Sequence, residues 1–341
     1  MTTYEAAGVD IEAGERAVSL MKAKVARSRR PEVVDDASGF AGLFDASALL
    51  RYQRPLLATS TDGVGTKVML AQQYGKHDTI GVDLVAMVLD DLVVCGAEPL
   101  FMTDYIACGK VVPERIAEIV GGVAEGCRLA GAALLGGETA EHPGAMGPDE
   151  YDLAGAGTGV VEASAMLGAD RVRAGDVVLG LASSGVHSNG YSLVRHVLRE
   201  ASLSLDADLP ELARPLGAEL LEPTRIYSLD CLELARRVDV HAYAHITGGG
   251  IESNLSRSLP DHLDAVLDRS SWTPPPIFSV LAGYGGIEQK DMDKTFNLGI
   301  GMAAIVAQEA ADESIRLLTE RNLSAWVLGE ITEGTGQATY R

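Results

Sequence analysis

Residues 59–68 read TSTDGVGTKV and follow the apolar run PLLA. The pattern is that of a strand opening into a glycine-rich loop that meets phosphate. A Walker A loop needs G-x-x-x-x-G-K-[ST], with the lysine ahead of the hydroxyl residue. Here Lys67 follows Thr66, and Asp62 stands in front of both. The spacing alone predicts a loop that holds an anion through a metal ion.

The next segment supplies more carboxylates. HDTIGVDLVAMVLDDLVVCG, residues 77–96, is apolar at helical spacing, with Gly96 as its stop. At about 100° per residue, Asp83 and Asp90 lie about 20° apart around the axis and Asp91 about 80° from Asp83. All three line one side, and with Asp62 they suit Mg²⁺ bound together with nucleotide phosphates. The alternative is a solvated helix face. Ile80, Leu84, Val85, Met87, Val88, Leu92 and Val93 leave little of the helix for solvent.

Outward from this pair, GERAVSLMKAKVARS (14–28) predicts an amphipathic helix and PLFMTDYIAC (99–108) a buried strand. PERIAEIVGGVAEGCRLAG (113–131) predicts a helix with Pro113 at its start. AALLGGETAEHPGAMG (132–147) reads as a short strand and a long glycine-rich loop carrying Glu138, Glu141 and His142. DLAGAGTGVVEA (152–163) reads as a further strand. Near residue 170 the pattern restarts as strand, loop and helix in GDVVLGLASSGVHSNGYSLVRHVL (175–198) and again in DVHAYAHITGGGIESNLSRSLP (239–260). KTFNLGIGMAAIVA (294–307) is a loop and then a strand. The expected domain boundary lies at 165–172, giving domains 1–168 and 169–341.

Three loops of the second half carry candidate chemistry. SSGVHSNGYSLVR (183–195) offers hydroxyls, an amide and a helix N-terminus, which together make an anion cradle; a capping cluster is the alternative. HITGGG (245–250) and TFNLGIG (295–301) permit close backbone approach to a ligand. Polar loops at the ends of several strands are where α/β proteins bind ligands. A serine hydrolase is not supported, because no G-x-S-x-G elbow exists.

Composition narrows the class. The chain has 341 residues, 47% hydrophobic, with 38 glycines and 5% aromatics, as expected of a two-domain α/β protein rich in tight turns. A net charge of −20 disfavours nucleic-acid partners but not a small anion held by local amides and Mg²⁺. The four cysteines are scattered without a C-x-x-C pair, and we expect them to be buried thiols. MTTYEAAGVDIEAGE (1–15) shows no secretory pattern, and no apolar run reaches the roughly 18 residues that span a bilayer. The expectation is a cytoplasmic protein with no membrane or nucleic-acid partner.

Taken in order, these motifs resemble the AIR synthetase family, the phosphoribosylformylglycinamidine cyclo-ligases of purine biosynthesis. The matching segments are AGVDIEAG (7–14), RRPEV (29–33), TDGVGTK (61–67), HDTIGVDLVAM (77–87), DLVVCGAEPLF (91–101), GGETAEHPG (136–144), SSGVHSNGYSLVR (183–195), PTRIY (223–227), HITGGG (245–250) and TFNLGIGM (295–302). One departure is Asp90, where family members often carry asparagine. Sister activities of the superfamily are a selenophosphate synthetase and a thiamin-phosphate kinase. The former carries a reactive cysteine near its N-terminus, whereas the first cysteine here is Cys95.

The resemblance implies an α/β (α+β) fold of two domains. An N-terminal mixed sheet forms a barrel across a homodimer, and a C-terminal α/β domain follows. It implies ATP and Mg²⁺ as cofactors, a small phosphoribosyl substrate, and transfer of phosphate to the substrate's formyl oxygen before ring closure. Asp62, Asp83 and Asp91 are the implied metal ligands. Lys22, Gly39, Thr61, Gly63, Gly65, Thr66, Lys67 and Glu138 are the implied ATP contacts, and the nucleotide's implied place near the dimer interface would let Glu138 come from a second copy. Ser183, Ser184, His187, Ser188, Asn189, Gly248 and Asn297 are the implied substrate contacts, and His187, Lys67 and His245 the candidate catalytic groups.

Overall fold

A computed structural model describes residues 10–34 and 39–341; residues 7–9 of AGVDIEAG lie outside the described residues. The chain divides into two compact units. One runs through Ser164 apart from Val93–Ala97, and the other comprises Val93–Ala97 and Ala165–Arg341.

In the first unit, helix α1 (Ile11–Val25) precedes a short pair, β1 (Val33–Val34) and β2 (Leu43–Phe44). Then come β3 (Pro55–Gly63), α2 (Lys67–Tyr74), α3 (Ile80–Val93), β4 (Glu98–Cys108), α4 (Pro113–Ala130), β5 (Ala133–Glu141) and β6 (Tyr151–Glu162). The main sheet has the order β3-β6-β4-β5; only β4 and β5 run parallel. Side chains alternate along β6, with Tyr151, Leu153, Gly155 and Gly157 buried and Asp152 and Ala154 exposed. The buried face packs on α3: a Cβ at Gly157 would lie 2.5 Å from a Leu89 methyl. Helix α4 crosses α3 closely, and a Cβ at Gly81 would meet the Val123 amide nitrogen at 2.3 Å. On the other face, Leu57 is 64% exposed and Tyr105 43%.

One expectation needs correction here. GGETAE (136–141) is not loop but the second half of β5, paired in parallel with Thr103–Cys108 of β4. Backbone pairing needs no side chain, and Gly137 is where one would not fit. A Cβ there would lie 2.1 Å from Asp104 Oδ1.

The second unit carries β7 (Val177–Ala182), α5 (Tyr191–Glu200), α6 (Leu216–Leu220), α7 (Ser228–Arg237), β8 (Val240–His245), α8 (Gly250–Ser256) and β9 (Leu263–Leu267). It continues with α9 (Pro276–Gly285), α10 (Gln289–Thr295), β10 (Ile300–Val306), α11 (Ala311–Glu320), β11 (Ala325–Glu333) and β12 (Ala338–Tyr340). The six-stranded sheet runs β12-β9-β11-β7-β10-β8, antiparallel except for β12–β9. The two strand–loop–helix units read from the sequence, β7–α5 and β8–α8, are both present. Their strands are not neighbours, because β10 lies between them and antiparallel to both.

Strand β10 is buried at every position, as expected of a strand covered on both faces. Met302, Ala304 and Val306 join one apolar cluster with Leu234 and Leu318. Ile300, Ala303 and Ile305 join another with Ile251 and Leu255. The four cysteines all remain thiols; Cys108, Cys127 and Cys231 are buried and Cys95 half-buried. Burial pushes the Cys108 thiol up to about 11, so it stays protonated and inert. Among the described residues, no helix is long and apolar enough to cross a membrane.

Candidate active site

The first loop cluster grows from the end of β3. That strand runs through Gly63, which leaves Thr61 and Asp62 exposed at its tip. The Asp62 carboxylate accepts the Gly63 N–H at 2.7 Å. Gly65 then turns with φ +70°, a left-handed value that glycine adopts without strain. Thr66 occupies the N-cap position of α2, so its neighbouring amides and the positive end of the helix dipole face outward.

Lys67 departs from expectation. Its ammonium lies 2.8 Å from Asp83 Oδ1, and both side chains are fully buried. Helix α3 is buried at every residue except Asp91, so Asp83 faces the interior and its charge requires a partner there. The long Lys67 stem reaches it. Lys67, expected at a phosphate and in catalysis, and Asp83, expected at a metal, are thus paired with each other inside the first unit. Asp90 is likewise wholly buried. Asp62 and Asp91 remain exposed. Among the described residues, no group of three or more His, Cys, Asp or Glu is placed to hold a metal. Mg²⁺ carried on nucleotide phosphates needs only one or two protein carboxylates, so Asp62 and Asp91 still fit it.

The expected nucleotide contacts separate into two places in this unit. Lys22, Gly39 and Glu138 line a cavity of about 790 Å³. Its walls are largely aliphatic, with Val18, Met21, Val25, Val120, Leu134 and Leu135, and Asp104 is one of its few acidic residues. Gly65 and Thr66 line a second pocket of about 360 Å³ with Glu150 and Asp152. The larger volume is of the size that takes a small organic ligand. Asp104 was not singled out from the sequence. The available signal was a carboxylate in the middle of a largely apolar strand.

The second unit presents its own loop cluster. Between β7 and α5 the hydroxyls expected to meet phosphate are already engaged. Ser183 Oγ donates to the Gly185 carbonyl at 2.9 Å. Ser184 Oγ donates to the Pro223 carbonyl at 2.7 Å and accepts the Arg225 N–H at 3.1 Å. Ser188 Oγ lies 3.2 Å from Thr224 Oγ1. The PTRIY segment therefore braces the SSGVHS loop.

His187 is fully buried with φ +64°, and its Nε2 accepts the Ser184 N–H at 3.1 Å. A backbone amide only donates, so in the neutral ring the proton sits on Nδ1. A Cβ at Gly301 would meet the His187 ring at 2.4 Å and the Tyr227 hydroxyl at 2.1 Å. His187, expected as an acid–base and substrate-contacting group, thus also shapes the loop from inside. His245, the last residue of β8, is only 5% exposed and is set back from the surface in the same way.

Asn297, expected as a substrate contact, also serves as a brace. It is 3% exposed, and its amide donates to the Gly185 and Val186 carbonyls at 3.0 and 3.3 Å. Its Oδ1 accepts the Gly299 N–H at 2.8 Å. Asn254 plays the same part for the glycine loop, donating to the carbonyls of Thr247, Gly248 and Gly250. The two loops meet where the Asn189 amide oxygen lies 3.5 Å from the Cβ position of Gly248. Asn189 is partly exposed and Gly248 exposed. What this cluster offers an anion is backbone amide and the Asn189 side chain, held by buried struts.

Two family models account for most of the chain: AIR synthase related protein, N-terminal domain, over residues 44–161, and AIR synthase related protein, C-terminal domain, over 173–341. The chain belongs to the AIR synthase related family, and within it to the phosphoribosylformylglycinamidine cyclo-ligases. A cyclo-ligase of that name from Bacillus cereus is 51% identical over 98% of this chain and 96% of its own length. One from Geobacillus thermodenitrificans is 52% identical with the same coverage. Solved structures share the fold at lower identity. Thiamine-monophosphate kinase from Stenotrophomonas maltophilia gives a TM-score of 0.67 at 19% identity, covering 95% of each chain. Hydrogenase maturation protein HypE in complex with ATP gives 0.67 at 18% identity, covering 98% of this chain and 92% of its own.

Proposed function

We propose that this chain closes the imidazole ring of formylglycinamidine ribonucleotide at the expense of ATP, giving aminoimidazole ribonucleotide, ADP and phosphate in de novo purine biosynthesis. The observation that carries this reading is 51% identity to named cyclo-ligases across 98% of the chain. Phosphorylation of the formyl oxygen makes a poor leaving group into phosphate, and a substrate nitrogen then attacks the activated carbon. Such transfer asks a protein for position and charge neutralisation rather than for a covalent nucleophile.

The buried struts fit that demand. Asp62 and Asp91 would hold Mg²⁺, which would neutralise phosphate charge when bound. The loop at Gly65 and Thr66 and the cavity carrying Lys22 would take ATP. The loop bearing Asn189, with Gly248, would take the ribose phosphate. The exposed sheet face carrying Leu57 and Tyr105 would be covered by a second copy, giving the homodimer.

Purified protein given formylglycinamidine ribonucleotide and Mg·ATP should release one ADP per imidazole formed, and none without substrate. ADP release with no new ring would sink the reading. Light scattering of the purified protein reports the dimer, and a monomer at all concentrations would remove that part.

A further inference from the structure

We infer that Asp104 reads the base edge of a purine nucleotide bound in the cavity between α1, α4 and β5, and so sets the choice of adenine over guanine. The inference rests on the proposed use of ATP and adds where the base lies and what recognises it.

Asp104 is 8% exposed and lines the cavity. Its carboxylate makes no hydrogen bond or ion pair to another described residue; only its own backbone amide reaches it. A buried carboxylate in that state is costly unless a ligand satisfies it. Its position is held open by Gly137, the neighbouring residue of β5, where a Cβ would fall 2.1 Å from Asp104 Oδ1. Around it the aliphatic walls of Val18, Met21, Leu134 and Leu135 suit the faces of a flat ring, while the exposed Lys22 suits a phosphate tail.

Burial raises the Asp104 carboxyl from its ordinary 3.8 to about 7. A neutral acid donates its O–H to N1 of adenine and accepts from the 6-amino group. Guanine presents two donors at that edge and suits a carboxylate instead. The other ionisable groups facing the cavity are Glu15 and Lys22 on α1, Arg29, and Glu138 on β5. Burial, and after it the nearby Asp104 carboxylate, keeps the Cys127 thiol on α4 protonated.

The test is equilibrium binding of ATP, GTP and purine riboside triphosphate to wild type, Asp104→Asn and Asp104→Leu between pH 6 and 9. An asparagine amide offers adenine the same donor and acceptor, so D104N should keep ATP affinity within about threefold. Wild-type ATP affinity should fall as pH rises through about 7, and D104N should abolish that fall. D104L should bind ATP about tenfold more weakly and lose preference for ATP over the analogue lacking the 6-amino group. If D104L does not fold, the pH profile of D104N decides alone. An unchanged ATP-to-GTP ratio in the variants, or a wild-type pH profile in D104N, overturns the role of Asp104. A weaker KM for the amidine substrate with unchanged nucleotide selectivity also overturns it, placing the substrate against Asp104 instead. Absence of ATP binding to wild type overturns the nucleotide reading itself.

Discussion

Lys67 Nζ lies 2.8 Å from Asp83 Oδ1, and neither side chain reaches solvent. The lysine of the phosphate-like loop is therefore a structural cation of the first unit. It anchors the start of α2 to the first turn of α3.

Removing one member of this pair takes from the other its ion partner in the core. Lys67→Met and Asp83→Leu should each destabilise by about 3–5 kcal/mol. The double variant should lose clearly less than the sum, because no bare charge remains. Denaturant unfolding measures all three. Additive losses, or a Lys67→Met protein of wild-type stability, would show that the pair does not carry this burden.

Asp62 and Asp91 are exposed, so their amides should fold normally. Asp62→Asn combined with Asp91→Asn should lower turnover by at least about 100-fold, since each removes charge opposite a transferring phosphoryl group. Its melting temperature should stay within about 2 °C of wild type. Raising Mg²⁺ should recover part of the activity of either single variant. Unchanged turnover in the double variant would exclude these carboxylates from the metal site.

Asn297 tests whether the substrate loop is built from within. Asn297→Ala leaves the Gly185 and Val186 carbonyls and the Gly299 amide short of a partner. The cost in stability should be about 1–3 kcal/mol. KM for the phosphoribosyl substrate should rise roughly tenfold while KM for ATP moves little, because only the loop of the second unit loses its shape. Asn297→Asp should be worse, since it turns a donor into a charge facing two carbonyls. Equal effects on both KM values would mean that Asn297 acts on the whole protein.

Asp104 also predicts a pH-dependent stability. The folded protein holds its proton to about pH 7, whereas the unfolded chain releases it near 3.8. Between those values the folded state binds more protons, so this group makes stability fall as pH rises from about 4 to about 7. The full rise corresponds at most to about 4 kcal/mol. Asp104→Asn should accordingly melt higher than wild type at pH 8 and close to it at pH 4.5. Calorimetry at the two pH values decides, and an equal difference at both would remove the titration.

Much of this protein was legible in its sequence, because helical periodicity, proline starts and glycine stops are local signals. Helices α3 and α4, strand β4 and the two strand–loop–helix units of the second half follow from them. So do Asp62 at a strand tip and the SSGVHSNG loop before α5. Motif order along almost the whole chain gave the family.

Pairing was not legible. Strand β10 inserts between β7 and β8, and GGETAE pairs as strand, because hydrogen-bonded neighbours are chosen by the whole fold rather than by local periodicity. Nor were side-chain directions. Helical angle placed Asp83, Asp90 and Asp91 on one side, but only the packing of α3 decided that Asp91 meets water while Asp83 meets Lys67. The opening loop TDGVGTK was determined by sequence as an acidic, glycine-rich turn between strand and helix. Tertiary structure decided that its aspartate faces out and its lysine faces in, since a buried carboxylate on α3 pairs with that lysine.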